Sequence, residues 1–279
     1  MDNKIWVITG ISSGLGKALA ESVIKEGDFV IGTFRHESQV EEYNKKNIKN
    51  SRAILLDITN EQNIINSVEK IISEYRKIDV LVNNAGMGFV GAIEETSLKE
   101  VRTVFETNFF GTLYLTQKIL PYMRKEKNGH IIQISSHGGI KAFAGFGIYN
   151  ASKFALEGFS EALAQEVASL GIQVSIIEPG PFRTNFAGNR LGEAENIISD
   201  YDETAGAFRT KLKGVDGKQE GDPVKASRAI IDLVNSENPS LRLPLGKVAL
   251  MTIGMKLDSV KSDIESNREI AENSVYIER

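Results

Sequence analysis

The chain has 279 residues, 41% of them hydrophobic and 25% charged, which suits a soluble globule long enough to bury one sizeable α/β core. A formal net charge of -4 gives no electrostatic reason to expect nucleic acid or an anionic membrane as a partner. With no cysteine and three histidines (His36, His130, His137), disulfides, thiolate catalysis and cysteine-ligated metals are excluded and no metal site is expected. The run Ile5-Trp6-Val7-Ile8 is too short for a signal sequence, and no window reaches the length of a membrane span. These features together predict a soluble, cytoplasmic protein.

Short β-branched runs alternate with longer helical patterns. Strands are predicted at Ile5 to Thr9, Phe29 to Phe34, Ala53 to Leu56, Ile78 to Val82, His130 to Ser135 and Ile172 to Ile177, with a last one at Ser240 to Leu245. Their nearly continuous apolar character is that of strands buried on both faces. Helices are predicted at Gly14 to Glu26, from Ser97 past a kink or break at Pro121, at Tyr149 to Leu170, and from Asp222-Pro223 to about Asn235. Strands alternating with helices imply a three-layer, doubly wound parallel sheet with right-handed crossovers. One domain is expected over residues 1–279. Residues 182–221, weakly periodic and rich in Gly, Asn, Asp and Lys, are expected to form an irregular substrate-binding lid. Residues 248–279 form a C-terminal extension, helical and amphipathic to Ala271.

The first predicted strand runs into Thr9-Gly10-Ile11-Ser12-Ser13-Gly14-Leu15-Gly16 and then a helix. A phosphate needs close backbone approach and unpaired N–H donors, and glycines at a strand-to-helix turn supply both. The spacing is G-xxx-G-x-G rather than the common G-x-G-xx-G. At the end of the second strand, where an acid would bind a ribose 2′-hydroxyl, the sequence reads Thr33-Phe34-Arg35-His36. An acid would repel a 2′-phosphate and Arg35 can pair with it, so NADP(H) is favoured over NAD(H).

Tyr149 and Lys153 stand one turn apart on a single helix face. A free phenol, with a pKa near ~10, is a poor base at neutral pH. A neighbouring ammonium is expected to lower that value and suit Tyr149 to general acid/base work. Ser135-Ser136 ends the fifth strand, where a hydroxyl can donate to a substrate carbonyl.

These pieces, with Asn83-Asn84-Ala85-Gly86, Asn108 and Pro179-Gly180, resemble in kind and order the short-chain dehydrogenase/reductase family over residues 5–184. The resemblance implies a Rossmann-type sheet of seven parallel strands and a catalytic tetrad of Asn108, Ser136, Tyr149 and Lys153. It selects Ser136 over Ser135 by its distance from the tyrosine. It gives Asn108 a water that links Lys153 to solvent. For the cofactor it implies Gly10, Ser12, Ser13, Gly14, Leu15, Gly16 and Arg35, then Asp57 and Ile58 beside adenine. It adds Asn84, Ala85 and Gly86 beside the adenosine ribose, Tyr149 and Lys153, and Pro179, Gly180 and Thr184 around the carboxamide. The expected function is hydride transfer between NADP(H) and a carbonyl or secondary alcohol. The alternative is a non-catalytic NADP(H)-sensing regulator of the same fold, which need not retain all four tetrad groups.

An extended sugar-nucleotide epimerase would carry G-xx-G-xx-G and a larger C-terminal domain. An enoyl reductase would space tyrosine and lysine more widely, and a carrier-protein reductase would show a basic patch. His137, Phe143, Phe146, Met87, Gly88, Phe182, Phe186 and Leu191 are expected to line an apolar substrate pocket. The long helices at Ser97–Arg124 and Tyr149–Leu170 are those the family commonly uses to dimerise, so a homodimer or homotetramer is expected.

Overall fold

A strand such as Trp6-Val7-Ile8, apolar on both sides of its backbone, is stable only between two covering layers. The computed structural model, which describes residues 3–186, 188 and 191–276, provides them. In chain order the first half runs β1 (Ile5–Ile8), α1 (Gly14–Lys25), β2 (Phe29–Phe34), α2 (Glu37–Lys45), β3 (Ser51–Leu55), α3 (Glu61–Tyr75), β4 (Val80–Asn83) and β5 (Gly88–Val90). Helix α4 (Leu98–Phe105) passes through a widened π turn at Glu106–Phe110 into α5 (Gly111–Glu126). Then come β6 (Gly129–Ile134), α6 (Gly147–Val167), β7 (Ile172–Pro179), β8 (Leu191–Glu193), α7 (Ala207–Gly214), α8 (Pro223–Val234), β9 (Arg242–Leu245), α9 (Lys247–Ser266) and α10 (Arg268–Glu272).

The main sheet has seven parallel strands in the order β3-β2-β1-β4-β6-β7-β9. The chain builds outward from β1 to β3, then crosses back to β4, so the carboxyl ends of β1 and β4 splay their loops apart. Register places Val7 beside both Ile31 and Leu81. Trp6 and Ile8 enter one core with α1 and α8, through Leu19, Val23 and Ile230, whereas Val7 enters the other with α3, α5 and α6, through Ile64, Leu115 and Leu163. The period of two along a strand and the covering helices are thus one fact.

Local signals set several boundaries. Asp222 caps α8 by accepting from Val224 N at 2.8 Å, with Pro223 inside the first turn. Ser97 and Glu100 form a reciprocal capping box on α4.

Four features differ from the sequence reading. Helices α2 and α3 were not anticipated, although Asn60 caps α3 and Ile64, Val68 and Ile71 form its buried stripe. The break expected at Pro121 is absent: α5 continues to Glu126, held on the core by Leu115, Ile119 and Met123, which offset one lost backbone bond. The irregularity falls instead at Glu106–Phe110. Segment 182–221 is more ordered than expected, since it contains β8, a 3-10 turn at Ser199–Tyr201, a π turn at Asp202–Gly206 and α7. Its strand β8 pairs in parallel with β5, apart from the main sheet. Residues 187, 189 and 190 of the expected lid and 277–279 of the expected extension lie outside the described residues. Among the described residues, no helix is long and apolar enough to cross a membrane.

Candidate active site

The glycine turn between β1 and α1 is shaped by backbone demands. Gly10 and Gly14 sit at φ +71° and +64°, where a side chain is strained. A Cβ on Gly16 would overlap the Asn84 amide and lie 2.8 Å from Gly10 O. Thr9 and Asn84 stitch the turn to the end of β4. Thr9 Oγ1 accepts from Asn84 N and Ala85 N, both at 2.9 Å, and Asn84 Nδ2 donates to Thr9 O at 2.7 Å and Gly10 O at 3.2 Å. Thr33 Oγ1 accepts from Gly10 N at 3.1 Å. Thr9 and Thr33 stand in the motifs quoted above, where their side chains were assigned no role; in the fold they hold the turn in place.

The splayed loops enclose a cleft of about 400 Å³. Gly10 and Ser12 form one wall, Arg35 and His36 stand at its outer end, Ala85 and Gly86 line its inner end, and Leu191 and Gly192 of β8 roof it. The cleft is backbone-lined where a pyrophosphate requires it, and α1 points its N-terminus there. Arg35 is exposed and makes no ion pair among the described residues. These features fit a phosphate-bearing dinucleotide.

The remaining expected cofactor residues divide. Ile58 lines the cleft. Asp57 does not line it; its Oδ1 accepts from Thr59 N at 2.9 Å and Thr59 Oγ1 at 2.8 Å. Asn84 spends its side chain on the stitching bonds, and Leu15, partly buried in the first turn of α1, packs its own against the core. Ser13 precedes α1 without a side-chain cap. Thr184 packs on Gly14: a Cβ there would meet Thr184 at 3.3 Å. Pro179 pairs with Leu245, and Gly180 N donates to Leu245 O at 2.9 Å, so both are held at the β7–β9 edge.

The four tetrad candidates converge beyond the inner end. Tyr149 and Lys153 open α6, Ser136 follows β6, and Asn108 lies in the π turn, all buried. Gly86 joins this group to the cleft: a Cβ there would stand 3.3 Å from Asn108 Oδ1 and 3.7 Å from Lys153 Nζ. Asn108 Oδ1 accepts from Met87 N at 2.9 Å, and Nδ2 donates to Met87 O at 2.9 Å and Ser152 Oγ at 3.0 Å. Both amide protons are therefore engaged. A relay water can meet only the remaining Oδ1 lone pair or the main-chain carbonyl. Ser136 Oγ accepts from Gly138 N at 2.9 Å, and its hydroxyl favours the ionised form of the Tyr149 phenol.

Burial pushes the Tyr149 phenol up to about 12, against the pull of Ser136. This reverses the expected lowering by Lys153, because the ring is walled off by Phe146 at 4.3 Å and Phe186 at 5.6 Å. Burial likewise brings Lys153 down to about 8, opposed by the charge of Glu157, while Nζ donates to Ile134 O at 2.8 Å.

Around Tyr149 lies an apolar cluster of Val90, Phe143, Phe146, Phe186 and Leu191, with Phe208 and Leu212 from α7. Phe208 and Leu212 were missed because their weakly periodic segment gave no sign of facing the site. Phe182, expected in the pocket, instead covers Gly221 and reaches Gly246. His137 joins the cluster edge, 5.1 Å from Phe143, with Nδ1 2.9 Å from Thr252 Oγ1 of α9. Thr252 Oγ1 donates to Val248 O, so it accepts from His137. Burial lowers this imidazole to about 4.

Segment 182–221 is tied down by Glu95, which accepts from Ala92 N at 2.7 Å, Ile198 N at 3.0 Å and Arg209 Nη2 at 2.8 Å. Burial would raise this carboxyl, but the backbone donors and the guanidinium outweigh it and hold it below its ordinary value. Tyr201 adds a bond to Glu94 at 2.6 Å. Among the described residues there is no group of three or more potential metal-ligating side chains.

A family model described as short chain dehydrogenase matches residues 4–194. The chain belongs to the short-chain dehydrogenase family. It is 41% identical over 249 residues to the 3-ketodihydrosphingosine reductase of Bacteroides thetaiotaomicron, covering 88% of this chain and 89% of that one. A short-chain dehydrogenase from Streptomyces avermitilis shares its fold with a TM-score of 0.92 and 40% identity, over 99% of this chain and 100% of that one. A further structure, ElxO with NADP bound, gives a TM-score of 0.74 at 25% identity, over 90% of this chain and 100% of that one. This short-chain dehydrogenase is an oxidoreductase acting on CH–OH or C=O groups.

Proposed function

We propose that this short-chain dehydrogenase uses NADP(H) to interconvert an apolar carbonyl compound and its secondary alcohol, with Tyr149 as the acid/base. The observation that carries the reading is one continuous arrangement. A glycine-lined cleft has Arg35 at its outer end, and its inner end, at Gly86, abuts Lys153 and Asn108. When bound, the nicotinamide supplies or accepts the hydride. The neutral Tyr149 phenol is a proton donor for the alkoxide formed in reduction, and Ser136 partly offsets the rise that burial imposes on it. Lys153, fixed on Ile134 O, faces the same inner end and holds its ammonium over the Tyr149 ring, 5.9 Å from the centroid. Arg35 supplies charge-assisted bonds to a 2′-phosphate. Gly10, Ser12, Ser13, Gly14, Leu15 and Gly16 offer backbone to the pyrophosphate. Ile58 flanks the adenosine, and Ala85 and Gly86 continue the wall from there toward Lys153.

The aromatic shell over Tyr149 supports an apolar substrate, as does similarity to a relative that reduces 3-ketodihydrosphingosine. The cysteine-free composition supports a cytoplasmic location. Exposed Phe110 and Phe154, near α5 and on α6, support a homodimer or homotetramer joined through those helices.

The test begins with fluorescence titration of NADPH and NADH. NADPH is expected to bind at least about tenfold more tightly, and Arg35→Ala to remove most of that margin. Equal affinities would refute the role of Arg35. A screen of apolar ketones should then find turnover that Tyr149→Phe lowers by about 10²–10⁴-fold, with NADPH affinity little changed. NADPH binding without turnover of any carbonyl would leave a sensor, not an enzyme of this mechanism.

A further inference from the structure

Helix α9 begins anchored and ends bare. Ala249 and Thr252 are buried, Val248 N donates to Glu220 Oε1 at 3.1 Å, and Thr252 holds His137. From Leu257 to Ser266 every residue is exposed, so this stretch has no layer of its own chain beneath it. Yet it carries an apolar stripe. Leu250, Ile253, Leu257, Val260 and Ile264 recur at spacings of three and four, and Leu250, Leu257 and Ile264 are about 60% exposed (63%, 60% and 59%); the exposed Met251 and Met255 stand off this stripe, on another side of the helix. A strict alternation of three and four is the 3.5-residue repeat of a helix-to-helix seam. A helix lying on a broad apolar surface takes a wider stripe. The helix contains Lys247, Lys256 and Lys261 against Asp258, Asp263 and Glu265, a balance with no attraction for an anionic bilayer.

We propose that α9 pairs with α9 of a second copy as an antiparallel two-stranded coil about a two-fold axis. Charge selects the direction and register. Lys256 and Asp263 flank the stripe on the same edge, seven residues apart, and neither has an ion-pair partner among the described residues. With Leu257 against the partner's Val260 and Ile253 against the partner's Ile264, Lys256 faces the partner's Asp263. Symmetry repeats each of these contacts. On the other edge Lys261 meets the partner's Gly254, so no like charges oppose each other within α9. A parallel pair would bring Lys256 toward the partner's Lys261 and is disfavoured. This surface is separate from α5 and α6. Two distinct two-fold contacts on one chain build a closed tetramer rather than a dimer when their axes are perpendicular.

The experiment measures the mass of the full-length protein in solution by light scattering. Leu257→Glu and Lys256→Asp are each expected to halve the assembly mass, and the doubly swapped Lys256→Asp/Asp263→Lys protein to recover it. Melting midpoints within about 2 °C of the parent show that these exposed changes leave the fold intact. If Leu257→Glu unfolds, the charge variants alone decide. A mass unchanged by the single variants overturns the pairing, and a double swap that does not recover overturns the antiparallel register. Flotation of the parent with phosphatidylcholine vesicles, abolished by Leu257→Glu at constant mass, would assign the stripe to lipid and overturn the proposal as well.

Discussion

The two walls of the active-site region are built on different principles. The cofactor wall is a backbone construction: positive-φ glycines, a Cβ-free contact at Gly16, and hydrogen bonds from Thr9 and Asn84 to neighbouring main chain. Sheet topology makes it, because β1 and β4 are adjacent strands. The lid wall is a side-chain construction. Glu95 meets Arg209, Glu94 meets Tyr201, and the three-residue strands β5 and β8 close on each other across about a hundred residues of chain. The first kind of wall tolerates no added atom, and the second tolerates no lost charge. The difference also bears on their roles in the proposed reaction, since one wall meets the phosphates and the other covers the substrate and, through Leu191 and Gly192, part of the cofactor cleft.

The largest effect should come from breaking the lid wall. Glu95→Gln leaves Arg209 buried and uncompensated, a loss of about 3–5 kcal/mol for such pairs. Hydrogen exchange should therefore rise across 191–214, while exchange in residues 9–16 stays unchanged. If exchange rises equally in residues 9–16, the two walls are one cooperative unit and the contrast fails.

The converse change is Gly16→Ala. Its methyl would press on the Asn84 amide and Gly10 O, at a cost of roughly 1–3 kcal/mol. NADPH affinity should fall by about tenfold or more, with exchange in 191–214 unaltered. Retained affinity would show that the turn gives way and that its closeness to Asn84 has no functional consequence.

A smaller effect lies outside both walls. His130, in the sheet beside Ser175, and His137, beside α9, are both lowered by burial to about 4 from an ordinary 6.5. The unfolded chain therefore binds more protons than the folded one between about pH 6.5 and 4, so stability falls as pH drops through that window. Thermal melts from pH 7 to 4 should show this decline, and His137→Gln should make it shallower. An unchanged slope would mean that His137 stays solvated.

Much of this was legible in the sequence. The glycine turn, the Tyr149–Lys153 pair, the apolar strand runs and the Asp222-Pro223 cap each rest on a local requirement: a φ value, a helix turn, a two-sided burial pattern or an unpaired N–H. Such requirements act within a few residues, so composition and spacing display them. The rest did not act locally. Tyr149 was expected to be acidified by Lys153, yet the burial that raises it comes from Phe146 and Phe186, which close over the ring only in the folded chain. Asn108 lies on a π turn that no residue pattern announced. Phe182 turned away to Gly221 while Phe208 took a place in the pocket.

The sequence by itself determined the seven strands of the main sheet and the helices that open near Gly14, Ser97, Tyr149 and Pro223, and where glycine, tyrosine and lysine chemistry stands along them. The tertiary structure alone decided which distant side chains share a dry environment. Desolvation and buried pairing depend on neighbours brought in from the far side of the fold, and no spacing within the chain encodes them.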